Sequence, residues 1–136
     1  MAEIRSVLVD TSVWVRFFRS GQSPEAIHLE ELLQLRAVVT CDPIQVEVAS
    51  GARTDHERKE LHEVFAAIPL FNLPPDVWRQ IEEARFTLAR KGRQASLIDL
   101  MIAATAQYHG TLLWSLDTDF AVIHGALPFP MYHPTL

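Results

Sequence analysis

The chain has 136 residues, enough for one domain to bury roughly 65–70 % of its unfolded surface without disulfide staples. Its 49 % hydrophobic and 21 % charged content excludes wholesale disorder, and no apolar stretch approaches the ~20 residues of a membrane span or begins like a secretory leader. A net charge of −5 excludes a surface uniformly basic for polyanions, and a single cysteine excludes an intramolecular disulfide, which suits a reducing, cytoplasmic setting.

The apolar run Val7-Leu8-Val9 predicts a buried strand over Arg5 to Asp10, ending on a carboxylate. A short aromatic-rich helix follows over about Ser12 to Arg19, its Trp14, Phe17 and Phe18 being more large rings than one inward face usually takes. Ser23 as N-cap and Pro24 at the first helical position start the next helix, which runs to about Leu35. Arg36 to Cys41 is a second strand, with Cys41 a buried inert thiol. Asp42-Pro43 starts a helix by the same cap-plus-proline signal, ending near Gly51.

Thr54 to Ala67 reads as an exposed helix with the stripe Leu61, Val64, Phe65 and Ile68, and Pro69 to Leu73 as a short extended segment. Pro75 opens a long helix to about Arg90, before Gly92. Ser96 to His109 is a helix apolar almost all round, with Gly110 as its C-cap residue. Thr111 to Ser115 is a strand, Asp117 to Ile123 a short helix and Pro128 to Tyr132 a final strand. Such alternation predicts one domain over 1–136: a three-layer α/β/α fold whose central, mainly parallel sheet has four to five strands.

Open α/β folds place ligands beyond the carboxyl ends of their strands, and acids gather there. Asp10 ends the first strand, where it either caps the next helix or ligates something positive. Asp117 and Asp119 follow the Thr111–Ser115 strand, and one of the pair suits helix capping. Asp99 is the N3 partner of Ser96 in a capping box, yet it shares a helical face with Ile102, Ala103 and Ala106. Glu47 lies too deep in its helix to cap and shares a face with Ile44 and Val48, so it needs a partner, a salt bridge to Arg53 being the plain alternative.

Two carboxylates ~5 Å apart repel by about 3 kcal/mol at an effective dielectric near 20. Three or four together would cost on the order of 10 kcal/mol, comparable with the stability of a domain. Such a cluster persists only if protons or a cation neutralise it, and oxygen-only ligands favour Mg²⁺ or Mn²⁺ over zinc. The six histidines are scattered and none is a candidate ligand. Setting the five acids aside leaves twelve against twelve bases, ten of them arginine. Arg85, Arg90, Lys91 and Arg93 precede Asp99 and could line the entrance for a polyanion, with Arg16 and Arg19 as further candidates.

The series Val7 to Trp14 with Asp10-Thr11-Ser12 at its centre, then Glu47, then Ile98-Asp99-Leu100 through Ala106, then Leu116-Asp117-Thr118-Asp119-Phe120 resembles the PIN-domain nucleases. More closely it is similar to the VapC-type toxins of toxin–antitoxin pairs, over essentially the whole chain. The resemblance implies a PIN-like fold and a metal-dependent endoribonuclease that hydrolyses RNA with an activated water. Asp10, Glu47, Asp99 and Asp117 would be catalytic, and Asp10, Asp99, Asp117 and Asp119 would hold Mg²⁺ or Mn²⁺, with Asp117 or Asp119 as the fourth ligand. Thr11 and Ser12 would bond a phosphate or a ligand carboxylate, unless they cap the next helix, and Arg90, Lys91 and Arg93 would meet the substrate. The implied partners are RNA, a small antitoxin and a second copy of the chain.

Two other classes remain open at this point. One is a non-catalytic nucleic-acid- or protein-binding module on the same fold, which would not need all the acids. The other is a Mg-binding phosphoacceptor receiver, which needs a lysine near the last strands, where Lys59 and Lys91 are badly placed.

Overall fold

In a computed structural model that describes residues 5–136, Val7, Leu8 and Val9 form β1 (Val7–Val9), each 1 % exposed or less. Residues 1–4 of the predicted domain lie outside the described residues. A strand buried on both faces carries an unbroken apolar run, and β1 is the middle strand of its sheet. Asp10 follows and caps α1 (Thr11–Arg19); after a turn comes α2 (Pro24–Gln34), capped by Ser23. Arg36 turns the chain out of α2 with φ 56°, a left-handed place where glycine is more usual, and delivers it into β2 (Val38–Val39).

The chain continues through α3 (Asp42–Ser50), α4 (Asp55–Ala66), a 3₁₀ turn over Pro75–Val77, α5 (Trp78–Arg90) and α6 (Leu97–His109). Gly110, with φ 67°, closes α6 and lets the chain enter β3 (Leu112–Trp114), which precedes α7 (Asp119–His124). All three strands are parallel in the order β2-β1-β3. The expected three-layer α/β/α architecture is the one found. Among the described residues its regular sheet is three strands wide. The two outer segments expected as strands each join by a single parallel bridge, Leu70 to Thr40 and Met131 to Leu113.

Three local expectations are corrected. Asp42 does not cap α3: Cys41 is the N-cap, in extended backbone, and Asp42 is already helical, where its charge still meets the positive end of the helix dipole. Pro75 opens a 3₁₀ turn, and the α-helix begins at Trp78. The rings of α1 are mostly core. Trp14 is fully buried against Phe65 of α4 at 5.0 Å between centroids, and Phe17 and Phe18 are partly buried beside it. Cys41 is buried as expected, which pushes its thiol up to about 12 and leaves it unreactive. Among the described residues, no helix is long and apolar enough to cross a membrane.

Strand order decides where a site can form. The chain leaves β1 for β2 on one side and returns to β3 on the other, so the helices after β1 and β3 diverge from neighbouring strand ends. The crevice outside the carboxyl ends at such a reversal is the usual ligand position of open parallel sheets. Asp10 opens that crevice on one side and Ser115 on the other, tied by the Asp10 N–H donating to the Trp114 carbonyl at 2.8 Å.

Candidate active site

Asp10 is 4 % exposed, and it caps the next helix. Its Oδ2 accepts the Ser12 N–H at 3.4 Å, the helix-capping bond, together with the Ser12 hydroxyl at 2.8 Å and the Ser115 hydroxyl at 2.8 Å. Three donors therefore converge on one oxygen, and none among the described residues reaches Oδ1. The network continues outwards: Ser12 Oγ accepts the Leu116 N–H at 3.0 Å, and Ser115 Oγ accepts the Asp117 N–H at 2.9 Å. Neither Thr11 nor Ser12 caps α1, because Asp10 does.

Glu47 reaches the crevice from α3. The Thr11 hydroxyl donates to its Oε1 at 2.7 Å, joining the first turn of α1 to the last turns of α3. Among the described residues Glu47 makes no ion pair; Arg53 instead donates its backbone N–H to Glu57 Oε2 at 3.3 Å. The salt-bridge alternative is thus not the one taken.

Asp99 enters from the first turn of α6, where its N–H donates to Ser96 Oγ at 3.0 Å. Of the expected capping box the Ser96 half is present, and the Asp99 carboxylate belongs to the acidic cluster. One carboxylate oxygen of each of Asp99, Asp117 and Asp119 lies within 4.8 Å of the others. Asp117 also accepts the Asp119 N–H on Oδ1 at 2.9 Å, so it shapes the turn into α7 while belonging to the cluster. Burial pushes the Asp99 carboxyl up to about 6, against the lowering effect of the Ser96 bond, and the charges of Asp10, Asp117 and Glu47 add to the rise. Those couplings join four of the five predicted acids, and Asp119 joins them through its approach to Asp99 and Asp117.

The donor set suits a hard divalent cation. It is all oxygen, it is anionic, and three of its members lie within 4.8 Å of one another. Each pair at such spacing repels by about 3 kcal/mol at an effective dielectric near 20. His28 lies instead against Tyr132, His56 pairs with Glu60 and His109 bonds the Asn72 carbonyl.

A profile of the PIN domain matches residues 7–125, from β1 into the end of α7. The chain belongs to the PIN domain family. It is 32 % identical over 121 residues to the VapC ribonuclease Mb1587 of Mycobacterium bovis, covering 86 % of this chain and 90 % of that protein. Ribonuclease VapC5 of Mycobacterium tuberculosis is 31 % identical over 121 residues, covering 88 % of each. Among solved structures, the VapBC2 complex of Rickettsia felis, bound to a DNA fragment from its promoter, superposes with a TM-score of 0.74 at 16 % identity, covering 93 % of this chain and 96 % of that one. The DNA-bound VapBC of Salmonella typhimurium superposes at 0.73 with 19 % identity, covering 94 % and 97 %. The two superpositions show a shared fold.

In this PIN domain the predicted basic residues separate. Arg93 lines a cavity beside Ser96 together with Arg85, whereas Arg90 and Lys91 do not. The Arg90 guanidinium lies over the Phe86 ring, 5.5 Å from its centroid. Ser115 is the functional candidate that sequence reasoning missed. Its partner Asp10 is 105 positions away, and the only local signal is a hydroxyl at the end of a strand beside the one Asp10 follows.

Proposed function

We propose that this PIN domain is a metal-dependent endoribonuclease, the toxin of a cytoplasmic toxin–antitoxin pair. The observation that carries the reading is the convergence of Asp99, Asp117 and Asp119 within 4.8 Å, next to Asp10 and Glu47, at the strand-order reversal. The VapC ribonucleases among its relatives supply the substrate class.

Asp10, Asp99, Asp117 and Asp119 hold Mg²⁺ or Mn²⁺ in this reading. Such an ion, when bound, polarises a phosphoryl oxygen and makes water nucleophilic at neutral pH. Asp10 is fixed by its three donors and presents the same oxygen in every turnover. Glu47, oriented by the Thr11 hydroxyl, accepts the proton of the attacking water. Ser12 is committed to Asp10, so of the two hydroxyls only Thr11 stands next to the proton acceptor. The water oxygen bonds to phosphorus, the P–O bond to the leaving ribose breaks, and no protein atom becomes covalently attached.

Exposed apolar surface supports both partners in this reading. Val15 of α1 and Val46 of α3 stand 38 % and 63 % exposed on two helices that pack together and carry Thr11 and Glu47. An antitoxin segment laid over them would cover the acids. Trp78, Phe86 and Leu97 border an apolar cavity of about 420 Å³ and are the natural place for a second copy of the chain.

The test is cleavage of end-labelled RNA with and without Mn²⁺. Wild type is expected to cleave only with the metal, and Asp10→Asn and Asp99→Asn to lose activity on the order of 10³-fold. Metal-independent cleavage, an inert wild type, or variants as active as wild type would each overturn the reading.

A further inference from the structure

We infer that Arg85, Arg93 and Gln94 form a dedicated binding site for a backbone phosphate of the RNA, one helical turn away from the acids. This rests on the ribonuclease reading and adds to it which bases hold the substrate. The three side chains line a cavity of about 490 Å³ together with Ala89, Ala95 and Ser96. That volume falls within the ~300–1,000 Å³ typical of clefts for small ligands. Neither arginine has a carboxylate within ion-pair distance among the described residues, so two arginines line one cavity without an ion-pair partner. In a chain of net charge −5, unpaired neighbouring arginines are where an anion is attracted. Their planar forks suit phosphate oxygens, and the Gln94 amide adds a neutral donor.

The backbone sets this arrangement. Arg85 and Ala89 share a face of α5, four residues apart. The helix then closes in a Schellman turn: Gly92, at φ 72°, donates to the Ala89 carbonyl at 3.0 Å, and Arg93 donates to the Leu88 carbonyl at 2.8 Å. The turn returns Arg93 towards the side of Arg85 instead of continuing the helix past it. Ser96 lines the cavity and accepts from Asp99, which links the phosphate site to the acidic cluster through one turn of α6. RNA held here would run on to the acids in a fixed register. Arg85 and Ala89 also border the adjoining apolar cavity, which Glu82 lines as well; Glu82 does not line this one.

The experiment measures binding and cleavage separately. Fluorescence anisotropy of a labelled single-stranded RNA, in chelator and across a salt series, compares wild type with Arg85→Gln, Arg93→Gln and Gly92→Ala. Arg58→Gln, an exposed charge on α4, is the control. Each arginine variant is expected to weaken binding about 5- to 10-fold and to lower the slope of log affinity against log salt by about 0.7, the loss of one single-strand phosphate contact. Gly92→Ala keeps every charge and has open space for its Cβ, but strains the left-handed turn; it is expected to weaken binding through misplacement of Arg93. In cleavage with Mn²⁺, KM should rise with kcat nearly unchanged. Binding that depends on Arg85 and Arg93 in a protein that never cleaves would keep this site and remove the nuclease reading. Loss equal to that of Arg58→Gln, an unchanged salt slope and KM, or a wild type that fails to bind RNA at low salt would overturn it.

Discussion

The acids of this site fall into two differently built groups. Asp10 and Glu47, from the first half of the chain, are each held by donors: two hydroxyls and a backbone N–H on Asp10 Oδ2, and the Thr11 hydroxyl on Glu47. Asp99, Asp117 and Asp119, from the second half, lie close to one another with fewer donors, and Asp119 is exposed. Charge in the first group is stabilised by the protein itself. Charge in the second has fewer such bonds, the Asp119 N–H on Asp117 and the Ser96 bond at Asp99. Burial, with neighbouring charges adding, lifts the Asp99 carboxyl to about 6. One half is therefore preorganised by donors, and the other carries crowded charge that a bound cation would offset.

The largest effect expected from breaking this contrast is at Asp10. Asp10→Asn replaces an acceptor of three donors with an amide, and the metal-free protein is expected to lose about 2–3 kcal/mol in a denaturant titration. Ser115→Ala removes one donor and should cost about 1–2 kcal/mol, with a fall in cleavage rate larger than for any exposed serine. If Ser115→Ala were neutral in both, the preorganised half would not depend on the network described.

Asp99 gives the smaller effect, with the opposite sign. Its carboxyl titrates near 6 in the fold and near 3.9 in the unfolded chain, so between those values the folded state holds the proton more tightly. Stability of the metal-free protein thus falls as pH rises from about 4 to about 6, and the loss is complete above. Asp99→Asn escapes it. Relative to wild type the variant is expected to be more stable by ~1 kcal/mol at pH 7, after discounting for solvent screening at a half-exposed site, with no gain below pH 4. Thermal melts in chelator at the two pH values read the difference. An Asp99→Asn protein less stable than wild type at pH 7 would erase the contrast between the two groups.

The sequence carried some of these features and concealed others for identifiable reasons. Asp10 was legible because an apolar strand run stops on it, and Glu47 because no capping role explains an acid so deep in a helix. The ends of α6 were legible because Ser96 and Gly110 are strong local signals, and both do what they signal. The Asp42-Pro43 pair misled because an Asp-Pro start is equally compatible with the acid one residue inside the helix. The outer strands were over-read, since an extended apolar segment looks alike whether it makes a ladder or one bridge. Ser115 and the pairing of Arg93 with Arg85 depend on tertiary approach and on the turn at Gly92, which no run of residues displays.

The most direct test of the central claim, that these acids form one cation site, is the melting temperature of wild type and Asp99→Asn across a Mn²⁺ titration at pH 7. Wild type should rise with the logarithm of metal concentration, by about 2.7 kcal/mol at a hundredfold excess over Kd, roughly 8 °C or more for a domain of this size, while Asp99→Asn stays nearly flat. A wild type that Mn²⁺ does not stabilise, or a variant stabilised equally, would contradict it.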